Sequence, residues 1–217
     1  VSNGVDLERF RPGPDDGALR RVFGLPPRAP VVLYTGRLGG EKSLHVLLRA
    51  FARLGRPGGA HLVLSGTGPD AGRLRALAAT LGIAPRTRFV GFVPDRDLPP
   101  LYRLATVFAI PSTAELQSIV TLEAMASGLP VAAADCQALP ELVRPGRNGV
   151  LFPPGEPLAL AAALRRLLAD PSARRRMGRA SRRLVAPHDY GRVIGEFKRL
   201  YQEVIQSHED SGRSAAR

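Results

Sequence analysis

Apolar positions along this chain fall into two alternating rhythms. Short unbroken runs, at 31–35, 61–65, 87–90, 107–110, 131–134 and 149–152, are followed by Gly, Pro, Ser or Asp within a residue or two. Such runs read as strands buried on both faces. Between them, Leu44 to Leu54, Asp70 to Leu81, Leu98 to Leu104, Ser118 to Ser127 and the short Leu139 to Val143 carry apolar residues at helical spacing. This alternation predicts an α/β fold: a doubly wound parallel sheet of about six strands, with helices on both faces because parallel crossovers are right-handed. Three more helical patterns follow, Pro157 to Ala169, Ser172 to Val185 and Tyr190 to Gln206, the last set off by Ala186 to Tyr190. Residues 1–17 read as a connecting segment and a Gly/Pro/Asp-rich link, 18–206 as the domain, and 207–217 as a polar, disordered tail.

Composition narrows the class. At 217 residues and 44% hydrophobic, the chain buries enough surface for one globular domain. No apolar run approaches the ~20 residues of a membrane span. The start of the chain carries no charged-then-apolar signal pattern, so a cytoplasmic location is expected. Cys136 is the sole cysteine, and His45, His61, His188 and His208 are scattered without ligand spacing, so no bound metal and no cofactor are expected. The formal charge of +12 changes less than it suggests: of 31 basic side chains only Lys42 and Lys198 are lysine, which leaves 29 arginines and reads as a coding bias. The run Arg174 to Arg183 reads as a solvated helix face, with peripheral contact to an anionic membrane surface as its rival. Few aromatics and no tryptophan argue against nucleic acid as a partner.

Candidate chemistry gathers at the strand ends. In an open parallel sheet, ligands collect beyond the carboxyl ends of the strands. Gly36-Arg37, Gly66-Thr67-Gly68, Gly91-Phe92-Val93, Ser112 to Glu115 and Asp135 all stand there. Glycine at such ends permits tight turns and close approach of backbone to a ligand. Glu115 is expected near the start of a helix running from about Leu116 to Ser127, where free N–H groups and the dipole also favour phosphate. Glu123 lies within the apolar Leu122-Glu123-Ala124-Met125-Ala126, late in that helix. There an unpaired carboxylate is disfavoured and requires a donor, which ligand hydroxyls would supply. Taken alone, each feature has a plainer explanation: a first-turn charge, an arginine partner, an ordinary turn glycine, a surface lysine.

Together they carry a resemblance. Glu115-x7-Glu123 followed by Ala124-Met125-Ala126-Ser127-Gly128-Leu129-Pro130-Val131 resembles the nucleotide-sugar site of retaining GT-B glycosyltransferases, family 4 in particular. Three other stretches agree: Ser2 to Pro12 is similar to the segment leading into the C-terminal domain of such enzymes, Gly36-Arg37-Leu38-x-x-Glu41-Lys42 to their phosphate motif, and Gly66-Thr67-Gly68-Pro69 to their Gly-x-Gly-Pro turn. The resemblance runs from Val1 to about Ile205. It implies a Rossmann-like C-terminal half of a GT-B fold that binds a nucleoside diphosphate sugar. The reaction implied is hexosyl transfer to a lipid or glycan acceptor with retention at the anomeric carbon.

It assigns Arg37 and Lys42 to the diphosphate and Glu115 to a hydroxyl of the transferred sugar, these three as the catalytic set. Donor binding falls to Gly36, Gly66, Gly68, the Leu116, Gln117 and Ser118 N–H groups, Glu123 at the ribose, and Phe92 and Val93 at the base. Leu116-Gln117 departs from the family's usual Phe-Gly, and Ser43 from its usual Gly after the lysine. The implied partner is an N-terminal acceptor-binding domain, without which this half is expected to bind nucleotide but not turn over. The rival from another class is a non-catalytic module for protein assembly or membrane attachment.

Overall fold

The computed structural model describes residues 3–55 and 59–215, with side chains described as far as residue 206. Six strands form one parallel sheet: β1 (Val31–Thr35), β2 (His61–Ser65), β3 (Thr87–Gly91), β4 (Val107–Ile110), β5 (Val131–Ala134) and β6 (Gly149–Phe152). Their spatial order is β3-β2-β1-β4-β5-β6, with register pairs such as Leu33 with Val63 and Phe108 with Val131. The chain starts at the centre, winds to one edge, and returns to build the other half from β4. That reversal leaves a crevice between the carboxyl ends of β1 and β4. Every residue of β1, β2, β4 and β5 is buried, as their unbroken apolar runs require.

The helices are α1 (Ala18–Val22), α2 (Leu44–Arg53), α3 (Ala71–Thr80), α4 (Leu98–Arg103), α5 (Ile119–Ala126), α6 (Leu139–Leu142), α7 (Pro157–Ala169), α8 (Pro171–Leu184) and α9 (Tyr190–Ala215). The sheet, the helix count between strands and most boundaries match the sequence expectation to within two residues.

Three differences are informative. The link through Gly17 continues directly into α1, a helix the Gly/Pro/Asp composition concealed. Buried Arg20 anchors it by donating to the carbonyls of Pro26 (3.1 Å), Ala29 (2.9 Å) and Leu104 (3.0 Å). Helix α5 begins at Ile119 rather than about Leu116, so Glu115 precedes the helix by a bend. The backbone of α9 continues as helix to Ala215, past the Gln206 where a disordered tail was expected; residues 216–217 and the side chains after 206 lie outside the described residues.

Helix α8 is only partly the solvated face that its arginines suggest. Gly178 meets the turn after α5 so closely that a Cβ there would come 2.1 Å from the Gly128 carbonyl oxygen, and Ser181 Oγ donates to the Leu129 carbonyl at 2.7 Å. Arg174 caps the end of α7 at the carbonyls of Leu167 (2.8 Å) and Leu168 (2.6 Å). Arg182 binds the carbonyls of Ala126 (3.0 Å), Phe10 (2.9 Å) and Leu7 (3.0 Å), joining the end of α5 to the N-terminal segment. No helix among the described residues is long and apolar enough to cross a membrane.

Candidate functional site at the β1–β4 crevice

Two backbone turns build one wall. Past β1 the chain turns at Gly36, with φ +142°, and past β2 at Gly66, with φ +122°. The turns lock together: Gly36 N–H donates to the Ser65 carbonyl (3.0 Å), Leu38 N–H to Thr67 (2.9 Å) and Asp70 N–H to Leu38 (3.0 Å). A Cβ on Gly66 would lie 1.9 Å from the Gly36 oxygen, and one on Gly68 2.4 Å from the Leu38 oxygen. These glycines are therefore needed where backbone meets backbone, which holds the Arg37 turn in place. The Arg37 carbonyl accepts from the buried Tyr34 hydroxyl at 2.9 Å, while its guanidinium is exposed with no partner among the described residues.

The turn continues through Gly40–Lys42 into α2. Ser43, at the junction, has φ +50°, a left-handed conformation that glycine adopts without strain. The carbonyl of Glu41 then crosses the crevice to accept from Thr113 N–H (3.2 Å) and Ser112 Oγ (3.3 Å) on the loop after β4. A second tie lies beside the first: Lys42 Nζ donates to Glu115 Oε1 at 2.7 Å, with both side chains mostly buried. Glu115 is thus not a free first-turn charge. Its carboxylate, 8% exposed as a residue, is neutralised by the same lysine assigned to the diphosphate.

After Glu115 the chain bends outward. Leu116 is 83% exposed and Gln117 is exposed, its Oε1 accepting from Asn3 N–H at 2.8 Å. Among the described residues, the N–H groups of Leu116, Gln117 and Ser118 make no hydrogen bond. Ser118 Oγ and Thr121 Oγ1 bond to each other at 2.8 Å, so the serine side chain does not cap α5. Ser118 is the N-cap of α5, so of these free donors its N–H stands at the helix start, where an anion is favoured.

Glu123 stands in the second turn of α5, earlier in the helix than its surroundings suggested. Its donor is Tyr102, whose phenol O–H meets Glu123 Oε2 at 2.7 Å from the adjoining helix α4. Burial is the main cause that raises the carboxyl above its usual range, opposed by the Tyr102 bond and the charge of Arg9 and assisted by Asp95. Burial and the same carboxylate push the Tyr102 phenol well up, so it remains a donor. Arg9 in turn pairs with Asp95 at 2.7 Å.

At the remaining edge, the Gly91 carbonyl accepts from Gly66 N–H at 2.7 Å, Phe92 is 75% exposed, and Val93 is buried within the core cluster. The β1–β4 crevice thus collects Gly36, Arg37, Lys42 and Glu115, with the exposed 116–118 segment following directly on Glu115. Gly66 and Gly68 support it from behind, and only the backbone of Val93 is left for any ligand. Among the described residues no three His, Cys, Asp or Glu side chains cluster as metal ligands.

This crevice, with a basic turn on β1 and two carboxylates after β4, coincides with a family pattern. The family model described as glycosyl transferases group 1 matches residues 15–184. The chain belongs to that family. Among curated relatives, the D-inositol 3-phosphate glycosyltransferase of Nocardia farcinica is 44% identical over 188 residues, covering 82% of this chain and 41% of its own length. The protein of the same name from Corynebacterium glutamicum is 34% identical over 223 residues, covering 99% and 53%.

Among solved structures, sucrose-phosphate synthase from Thermosynechococcus elongatus superposes with a TM-score of 0.85 at 32% identity, over 94% of this chain and 52% of that one. Anabaena HepE in complex with UDP superposes with a TM-score of 0.84 at 27% identity, over 92% and 56%. These matches make the fold that of GT-B glycosyltransferases. The chain spans about half the length of the group 1 relatives it matches.

Tyr102 escaped the sequence reading because it sits in α4, away from every motif. A signal was present: Glu123 in an apolar helix required a donor, and a tyrosine between strand-flanking helices was one candidate.

Proposed function

We propose that this chain is the donor-binding half of a retaining glycosyltransferase that takes a uridine diphosphate sugar and works with an N-terminal acceptor-binding domain. What supports the reading is the pairing of Lys42 with Glu115 across the β1–β4 switch point, with exposed Arg37 on the β1 turn and unbonded N–H groups at 116–118 after β4. Two cations and a helix start suit a diphosphate; a guanidinium grips two oxygens and an ammonium supplies a point charge. Glu123 accepts from the ribose hydroxyls. The choice of uridine rests on HepE, solved with UDP and with UDP-glucose.

In the reaction, the bond from the anomeric carbon to the diphosphate oxygen breaks, and a bond forms on the same face to an acceptor hydroxyl, whose proton passes to the leaving phosphate. Arg37 and Lys42 stabilise the charge that grows on the diphosphate. For Lys42 this means sharing its ammonium between Glu115 and the phosphate, which frees Glu115 to accept from a sugar hydroxyl. The relatives are named for D-inositol 3-phosphate, and on that support a phosphorylated cyclitol replaces the lipid or glycan first expected as acceptor.

Calorimetric titration with UDP, GDP and ADP tests the reading. UDP should bind and Glu123→Ala should abolish most of that binding; failure of all three nucleotides to bind would overturn it.

A further inference from the structure

We propose that Tyr102 is a positioning residue for nucleotide recognition: its phenol fixes one oxygen of Glu123 and thereby presents the other to the nucleoside hydroxyls. The inference rests on the ribose role given to Glu123 above and adds a residue outside every family motif in the chain. Four observations support it.

The hydroxyl–carboxylate distance of 2.7 Å is that of a strong, charge-assisted bond. Tyr102 is fully buried, so its ring cannot swing away, and it is fixed edge-on against Phe10 at 5.8 Å and tilted against Phe108 at 6.0 Å. The phenol also meets, more weakly, the Val120 carbonyl at 3.4 Å, on the same helix as Glu123, and the Thr35 side chain of β1 lies near it. Finally, only Oε2 of the carboxylate has a partner among the described residues, which leaves Oε1 for a ligand.

The surroundings make the phenol more than a packing detail. Glu123 is buried enough that its proton is held above the usual carboxylate range. The groups that face it are Tyr102 from α4, Arg9 from the N-terminal segment and Asp95 from the turn before α4. Arg9 is already engaged by Asp95. Among the described residues Tyr102 is therefore the sole neutral donor touching the carboxylate, and it favours the ionised form that accepts from two hydroxyls. Removing it would leave a half-buried carboxylate that protonates more readily and rotates more freely.

The test uses Tyr102→Phe, which keeps the ring and its aromatic contacts. Wild type, Tyr102→Phe and Glu123→Gln are titrated with UDP and with 2′,3′-dideoxy-UDP between pH 5 and pH 8. Tyr102→Phe should weaken UDP about tenfold near pH 6. The low-pH loss of UDP affinity should move up by about one pH unit, and dideoxy-UDP should bind as it does to wild type.

Equal weakening of both ligands, or an unmoved pH profile, would overturn the positioning role. Glu123→Gln weakening UDP while Tyr102→Phe does not would overturn this inference alone. UDP binding unchanged in both variants would overturn the ribose reading and the inference with it. Should Tyr102→Phe fail to fold, 3-fluorotyrosine at position 102 keeps the shape and strengthens the donor. It should move the low-pH midpoint downward, and an unmoved midpoint overturns the proposal.

Discussion

Two carboxylates separated by eight positions have opposite energetics in this fold. Glu115 is paired with Lys42, and removing the lysine alone would leave a mostly buried carboxyl without its partner. Lys42→Met is expected to lower stability by about 2–4 kcal/mol in urea unfolding, and Lys42→Met/Glu115→Gln to recover at least half of that, since breaking a buried pair costs more than replacing it. Glu123 makes no ion pair among the described residues. Burial raises its folded pKa above the unfolded value, so its contribution to stability is complete at pH below the ordinary carboxylate range and is lost as pH rises through the raised folded value.

Glu123→Gln removes that loss and keeps an oxygen for Tyr102. The variant should melt about 2–4 °C above wild type at pH 8, a gain on the order of 1 kcal/mol, and level with it at pH 4. A melting point at or below wild type at pH 8 would refute this. The expected outcome is that the site retains a carboxylate that the unliganded fold would be more stable without, as ligand-binding groups commonly are. At Ser43 the strain is in the backbone: with φ +50°, Ser43→Gly should raise stability by up to about 1 kcal/mol in the same urea assay.

Among the elements, the turns after β1 and β2 act as a single unit. Their backbones pass so close that Gly66 has no room for a methyl group, and its φ of +122° disfavours any side chain. Gly66→Ala is expected to cost at least about 3 kcal/mol. Because the same turn positions Arg37, UDP binding should fall with it, read by calorimetry on the fraction that remains folded. Helix α8 shows how little a charge run says by itself: Arg174 and Arg182 cap neighbouring helices through backbone carbonyls, although the run reads as a solvated face. The start of α5 at Ile119, three residues beyond Leu116, has a related reason. Leu116 looks like the first apolar residue of a helix, yet it points to solvent, because Glu115 is held inward by Lys42 and the chain must bend to reach Ile119.

For the whole molecule, the 3-2-1-4-5-6 strand order decides where ligands can bind, since it opens one crevice at the β1–β4 reversal. The relatives carry about as much chain again as this one. On α9, Phe197, Leu200, Tyr201, Val204 and Ile205 are exposed, and Val193 is its one buried apolar residue among those described. On the proposed division of labour, in which another domain positions the acceptor, this chain should bind UDP. It should also transfer sugar at least on the order of a hundredfold more slowly than a full-length protein containing it. Product analysis with UDP-glucose and inositol phosphate measures the ratio, and equal rates would refute the division of labour.

The sequence alone determined the α/β class, the six strands and the family, because unbroken apolar runs, turn glycines and ordered motifs are local properties that survive without knowledge of contacts. It also determined which strand ends bear the charged residues. Only the tertiary structure decided what those residues do to each other. Lys42 and Glu115 are 73 positions apart, Tyr102 and Glu123 are 21 apart, and Arg182 reaches a carbonyl 172 positions away. Such pairings are set by how the sheet is wound and how closely the helices cross it. That winding brings a lysine to neutralise one glutamate and a buried phenol to orient the other.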